Sequence, residues 1–153
     1  MSRKKLGGMF SDVDIREIVA HWQDILRLRD WDIRSLLVEK TWRKNGDVKI
    51  DMSNRMATVM VNRELDPAHL EEVVIHELLH IKLYGLDQMI EHLIEILYGD
   101  DEDARKQLNW GFFMEMLEST TEDLTKGYLQ ASGKRNSLNF TRVDRQVQEE
   151  LGE

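Results

Sequence analysis

The sequence predicts an α+β fold: an N-terminal helix, a small antiparallel or mixed sheet of about three strands, a helix bearing reactive side chains, and further C-terminal helices. Three observations predict it. Apolar residues recur at helical spacing before residue 28 and again after residue 70, while period-two alternation fills the stretch between them. The chain has 153 residues with 41% hydrophobic content, enough for one sizeable core. No internal repeat suggests a solenoid.

The first helix spans Asp12 to Leu28, with Ile15, Ile18, Val19, Trp22, Ile25 and Leu26 on one face and Ser11 or Asp12 as its cap. An extended stretch begins at Trp31-Asp32-Ile33 and runs to Val38, reaching toward Trp42. Asn45-Gly46 is a two-residue hairpin signal. Beyond it Val48, Ile50 and Met52 alternate with polar residues; Ser53-Asn54-Arg55 is a turn, and Ala57, Val59 and Val61 alternate again. Asp66-Pro67 opens the next helix, since a proline at the first helical position gives up only an N–H that would have no partner anyway. Pro67 is the single proline of the chain, and Glu71 and Glu72 suit the positive end of the helix dipole. Gly85 reads as a left-handed stop for this helix. Two more helices follow, about Asp87 to Tyr98 and Asp101 to Glu118. These place one domain over residues 1–120 and a polar, flexible tail over 121–153, with a weak helix near Asp144 to Leu151.

Composition narrows the chemistry. With no cysteine there is neither a disulfide nor a thiolate metal site, so any metal rests on His, Asp and Glu. A net charge of −8 argues against a nucleic-acid backbone as the main partner, and the four tryptophans do not alternate with basic residues as stacking platforms would. No apolar run approaches the ~20 residues of a membrane span, and the basic Met1-Ser2-Arg3-Lys4-Lys5 lacks the apolar segment of a signal peptide. The expected setting is the cytoplasm.

His76-Glu77-Leu78-Leu79-His80 carries the chemistry. Histidines four apart on a helix project from one face, so both imidazoles can converge on one Zn²⁺ while Glu77 reaches a water on that metal. Leu70, Val73, Val74, Leu78, Leu79, Ile81 and Leu83 make this helix largely apolar. Burying two histidines and a glutamate there without partners costs several kcal/mol, a difficulty that a bound metal removes. His76 and His80 are the expected zinc ligands and Glu77 the expected general base.

A catalytic zinc takes three protein ligands and leaves one position to water. No histidine follows at H-E-x-x-H-x-x-G-x-x-H spacing, so the third ligand is sought on the following helix. Its apolar face is centred on Ile90, Leu93 and Leu97; Glu91 and His92 fall at the borders and Glu95 points away. Glu91 is the preferred third ligand and His92 the alternative, with Asp87, Glu95 and Glu102 behind them. Tyr84 and Tyr98 read as rims of the core with wet hydroxyls, with oxyanion stabilisation as their other reading. His21 and His69 have no partner at ligand spacing. Asp100-Asp101-Glu102-Asp103 lacks calcium-loop spacing and reads as a solvated charge run.

The run from Trp31-Asp32-Ile33 through Met56-Ala57-Thr58-Val59 to Glu71-Glu72-Val73-Val74-Ile75-His76-Glu77-Leu78-Leu79-His80 resembles the small metallopeptidases of phages and bacteria. The resemblance covers roughly Asp12 to Leu117, and within it only the zinc motif is specific. It implies a zincin-like, gluzincin-like fold, zinc, and hydrolysis of peptide bonds in a peptide or protein substrate, inside a bacterium or a phage-infected cell. By analogy with zincins, an extended substrate would pair with the strand near Thr58 to Asn62. Two other readings stay open: a zincin-fold binding module without catalysis, and a metal-dependent hydrolase of a non-peptide bond.

Overall fold

The computed structural model describes residues 10–133 and 140–152; the basic N-terminal stretch and part of the expected tail lie outside them. Among the described residues four helices and a three-stranded mixed sheet form an α+β fold in the order α1 (Asp12–Ile25), β1 (Asp32–Val38), β2 (Gly46–Asp51), β3 (Met56–Asn62), α2 (Leu70–Tyr98), α3 (Ala104–Ala131) and α4 (Thr141–Leu151). Among the described residues no helix is long and apolar enough to cross a membrane.

Ser11 starts α1 through a reciprocal capping box, its side chain bonded to the Asp14 N–H and the Asp14 carboxylate to the Ser11 N–H. The helix packs Ile15, Val19 and Trp22 into the core. At its far side Trp22 Nε1 donates to Glu71 Oε1 at 2.6 Å, a buried bond that ties α1 to the first turn of α2.

The sheet order is β1-β3-β2, with β1 parallel and β2 antiparallel to β3. Register places Ile33, Ala57 and Ile50 in one row and Ser35, Val59 and Val48 in the next, so the inward rows are mostly apolar. The Asn45-Gly46 hairpin expected between β1 and β2 is not formed. Residues 39–45 instead cross the end of β3 so that β2 reaches its far side, and β2 and β3 are joined through the Ser53-Asn54-Arg55 turn. Asn62 pins the crossing: its Nδ2 donates to the carbonyls of Trp42 and Lys44 at 3.0 and 2.8 Å, and its N–H to that of Asn45 at 2.9 Å. Gly46 is needed for another reason. A Cβ there would lie 2.5 Å from Val73 Cγ1 and 3.1 Å from Glu77 Oε1, so this end of β2 sits directly against α2.

Asp66 caps the short 3₁₀ turn of Pro67–His69 that leads into α2, accepting from the Ala68 N–H at 3.0 Å. Gly85 does not stop α2, which continues unbroken to Tyr98 and ends at Gly99 with φ +60°. Gly85 is an interior helical residue facing Met52, and the two expected helices are one. Asp103 caps α3, which folds back along α2 and passes residue 120 without interruption, burying Thr121, Thr125 and Leu129. The boundary expected at residue 120 therefore falls inside a packed helix. Burial of the two threonines leaves no polar group unpaired, because their hydroxyls donate to the carbonyls of Leu117 and Thr121 at 2.7 and 2.8 Å. The expected helix near the end is α4, beginning slightly earlier at Thr141.

Candidate metal centre

The first three turns of α2 are the most enclosed helix of the fold, with Val74, Ile75, Leu78 and Leu79 buried against α1 and the sheet. His76 and His80, on the opposite side, look toward α3. Their Nε2 atoms approach to 3.1 Å. Glu118 of α3 meets both, its Oε2 lying 3.4 Å from His76 Nε2 and its Oε1 3.2 Å from His80 Nε2. One turn along α3, Glu122 Oε1 lies 2.8 Å from His76 Nδ1, within reach of a hydrogen bond but off its direction, so this buried nitrogen has no aligned partner.

His76, His80 and Glu118 thus form a group that can hold a metal ion. Three donors at these separations suit a small cation, since tetrahedral bonds of about 2.0–2.1 Å put neighbouring ligands ~3.3 Å apart. The donor set, two imidazoles and a carboxylate, is one that zinc accepts. Glu118 and Glu122 are half exposed, so the group opens to solvent.

Electrostatics couple these side chains in the metal-free chain. Burial disfavours a charged His76, but Glu118 and Glu122 outweigh it, with Glu77 adding, and its pKa is pushed up to about 10. Bonds from His76 and His80 hold the Glu118 carboxyl far below its usual range, and His76 lowers Glu122 in the same way. Glu77 behaves oppositely. Burial raises it to about 7 against the pull of His76 and His80, with Asp47 and Glu118 helping to raise it.

Comparison with protein-family models, curated proteins and solved structures finds no match in any of the three.

The motif residues and the expected third ligand separate in space. Glu91 lies on the same unbroken helix as His80, eleven residues on, which is about 16 Å along the axis. It accepts a bond from Gln88 at 3.0 Å instead, and His92 beside it is exposed. Neither joins the group. Glu95 pairs with Lys106 at 2.9 Å, Asp87 adjoins Gln88, and Glu102 sits exposed ahead of α3. Tyr98 is at the far end of α2, its hydroxyl accepting from Asn109 and its ring beneath Arg105, while Tyr84 is half-buried. His69 lies 3.5 Å from Glu72, and His21 packs edge-on against Trp22.

Glu118 and Glu122 are the residues sequence reasoning missed. A signal for them exists. Two carboxylates four apart mirror the spacing of His76 and His80, and they sit about as far beyond the turn near Gly99 as the histidines sit before it. An antiparallel helical hairpin brings such positions together. The false stop at Gly85 and the early end assigned to α3 hid that symmetry.

Proposed function

We propose that this chain is a zinc-dependent metallopeptidase in which His76, His80 and Glu118 hold the metal and Glu77 is the general base. The observation that carries the reading is the meeting of two imidazole Nε2 atoms and one carboxylate within 3.1–3.4 Å, beside a buried carboxyl four residues or fewer away on the same helix. Zinc bound there supplies a water acidified toward a pKa of ~7 and polarises the scissile carbonyl. The protein's own groups do the rest. Glu77, raised to about 7 by burial, is suited to accept a proton from the attacking water and pass it to the leaving amine. Glu122, 2.8 Å from His76 Nδ1, sets a negative charge beside that ring.

The substrate strand expected near Thr58–Asn62 has to move. β3 is central and paired on both sides, so it has no free edge to offer. Among the described residues the outer edge of β2 is unpaired, and a Cβ at Gly46, its first residue, would lie 3.1 Å from Glu77 Oε1. An extended peptide adding to β2 would pass the base, with main-chain hydrogen bonds giving affinity.

The test is metal content followed by turnover. The reading expects about one zinc per chain, and cleavage within a broad peptide library that Glu77→Gln slows by ~10²–10⁴-fold while zinc content stays unchanged. A metal-loaded wild type that cleaves no peptide, or a Glu77→Gln variant with full turnover, overturns it.

A further inference from the structure

The face of α2 that Ile75, Leu78 and Leu79 bury against α1 and the sheet continues as an apolar stripe past the end of that layer. At about 100° per residue, Leu86, Met89, Leu93, Ile96 and Leu97 share that face, on the side of α2 turned from α3. They are 54–67% exposed. Nothing in the described fold covers them. A second unpartnered stripe lies on α4, where Phe140, Val143, Val147 and Leu151 fall on one side of the helix and are 48–66% exposed. Among the described residues α4 touches no other element.

We propose that the α4 stripe of one chain seats on the α2 stripe of a second copy, and reciprocally, in a symmetric dimer. The two stripes match in length: Leu86 to Leu97 and Phe140 to Leu151 each cover eleven residue steps, about 16 Å of helix. The exposed stripe of α3, from Leu108 to Met116, is shorter. Area permits it: the exposed portions amount to roughly 500 Å² on α2 and roughly 400 Å² on α4, so two reciprocal contacts that covered them fully would bury at most about 1,800 Å², within the range of a stable interface.

The chain's own α4 is poorly placed for the same seat. Lys126 of α3 acts on Glu72, so α3 ends beside the start of α2, and Leu86 is then about 28 Å away along the axis. The nine steps from Ala131 to Phe140 span at most about 30 Å, and the stripe is on the far side of α2. A lipid surface suits α4 less, because its two arginines stand against three carboxylates, whereas interfacial membrane helices are rich in Lys and Arg.

The experiment is mass measurement by light scattering on the full chain, over a wide range of concentration. The wild type is expected as a dimer. Ile96→Glu and Val147→Glu, both at exposed positions, should each halve the mass while leaving the helical circular dichroism unchanged. Mixing the two variants should restore a weaker dimer, since one intact α4 then meets one intact α2 stripe. The chain has no cysteine, so a Leu93→Cys, Val147→Cys variant gives a clean cross-linking readout: oxidation should yield a covalent dimer. A monomeric wild type, a dimer indifferent to Val147→Glu, a mixture that stays monomeric, or a cross-link confined within one chain overturns the proposal.

Discussion

Replacing Gly46 by alanine places one methyl group where β2 meets α2. The backbone at this position is not left-handed, so alanine is conformationally acceptable and the effect comes from space alone. The new Cβ would lie 2.5 Å from Val73 Cγ1, about 1 Å or more inside a comfortable carbon–carbon contact of ~3.5–4.0 Å. Val73 cannot swing away, because a β-branched side chain in a helix is held to essentially one χ1 rotamer. The strand or the helix must shift instead, and overpacking of this kind costs about 1–3 kcal/mol. For a chain of this size that lowers the melting temperature by roughly 2–12 °C. Because the same Cβ would lie 3.1 Å from Glu77 Oε1, the displacement reaches the proposed base as well. Thermal unfolding of Gly46→Ala, Val73→Ala and the double variant is the assay. The double variant should be more stable than the two single losses predict, by about 0.5–3 kcal/mol of coupling. Gly46→Ala melting with the wild type, or strict additivity in the cycle, would refute the close-approach account of this glycine.

Gly85→Ala should have the opposite sign: its Cβ would meet only the mobile end of half-exposed Met52 at 3.2 Å, and helical propensity then favours the variant by about 0.5–1 kcal/mol, read as a higher melting temperature. Glu118→Ala should weaken zinc binding, measured by chelator competition, beyond the ~10–100-fold expected of a merely orienting residue, whereas Glu91→Ala should leave it unchanged; equal affinity in wild type and Glu118→Ala would remove Glu118 from the ligand set. In the metal-free protein the His76 pKa is raised from 6.5 to about 10, so its contribution to stability is complete below 6.5 and lost as pH climbs toward 10. Denaturant midpoints in the presence of chelator should therefore fall across that window, while zinc affinity, which requires neutral imidazole, rises. Trp22→Phe removes the donor to Glu71 and should cost about 1.5–3 kcal/mol by chemical denaturation.

What was legible in the sequence was the part written in local patterns. The capping signals at Ser11 and Asp66, the alternation of Ala57, Val59 and Val61, and the histidine pair each need only a few neighbouring residues to be read. Strand order was not legible, because Asn45-Gly46 looks the same whether its glycine makes a turn or admits a helix; only the packing of Val73 decides. Gly85 misled for a related reason: a glycine marks a helix end only where the chain turns left-handed, as it does at Gly99, and tertiary packing carries α2 through the other. The third member of the candidate metal group was lost with it. Once α2 is one helix, its partner must be long enough to return to the histidines, and Thr121 and Thr125 then become packing residues whose hydroxyls are satisfied within their own helix.

The arrangement of the histidines and Glu118 on different arms of a helical hairpin has a consequence for the order in which the molecule is made. A chain emerging from the ribosome presents α1, the sheet and the first turns of α2, a nearly complete hydrophobic layer, well before Glu118 has been synthesised. At that stage the two histidines face open water and can hold a cation only as a weak two-point contact. If the group binds a metal as proposed, tight capture waits for α3 to return along α2. A metal bound firmly by this protein would thus mark chains whose last long helix has docked, and chains halted before it would be left with the motif but without its grip.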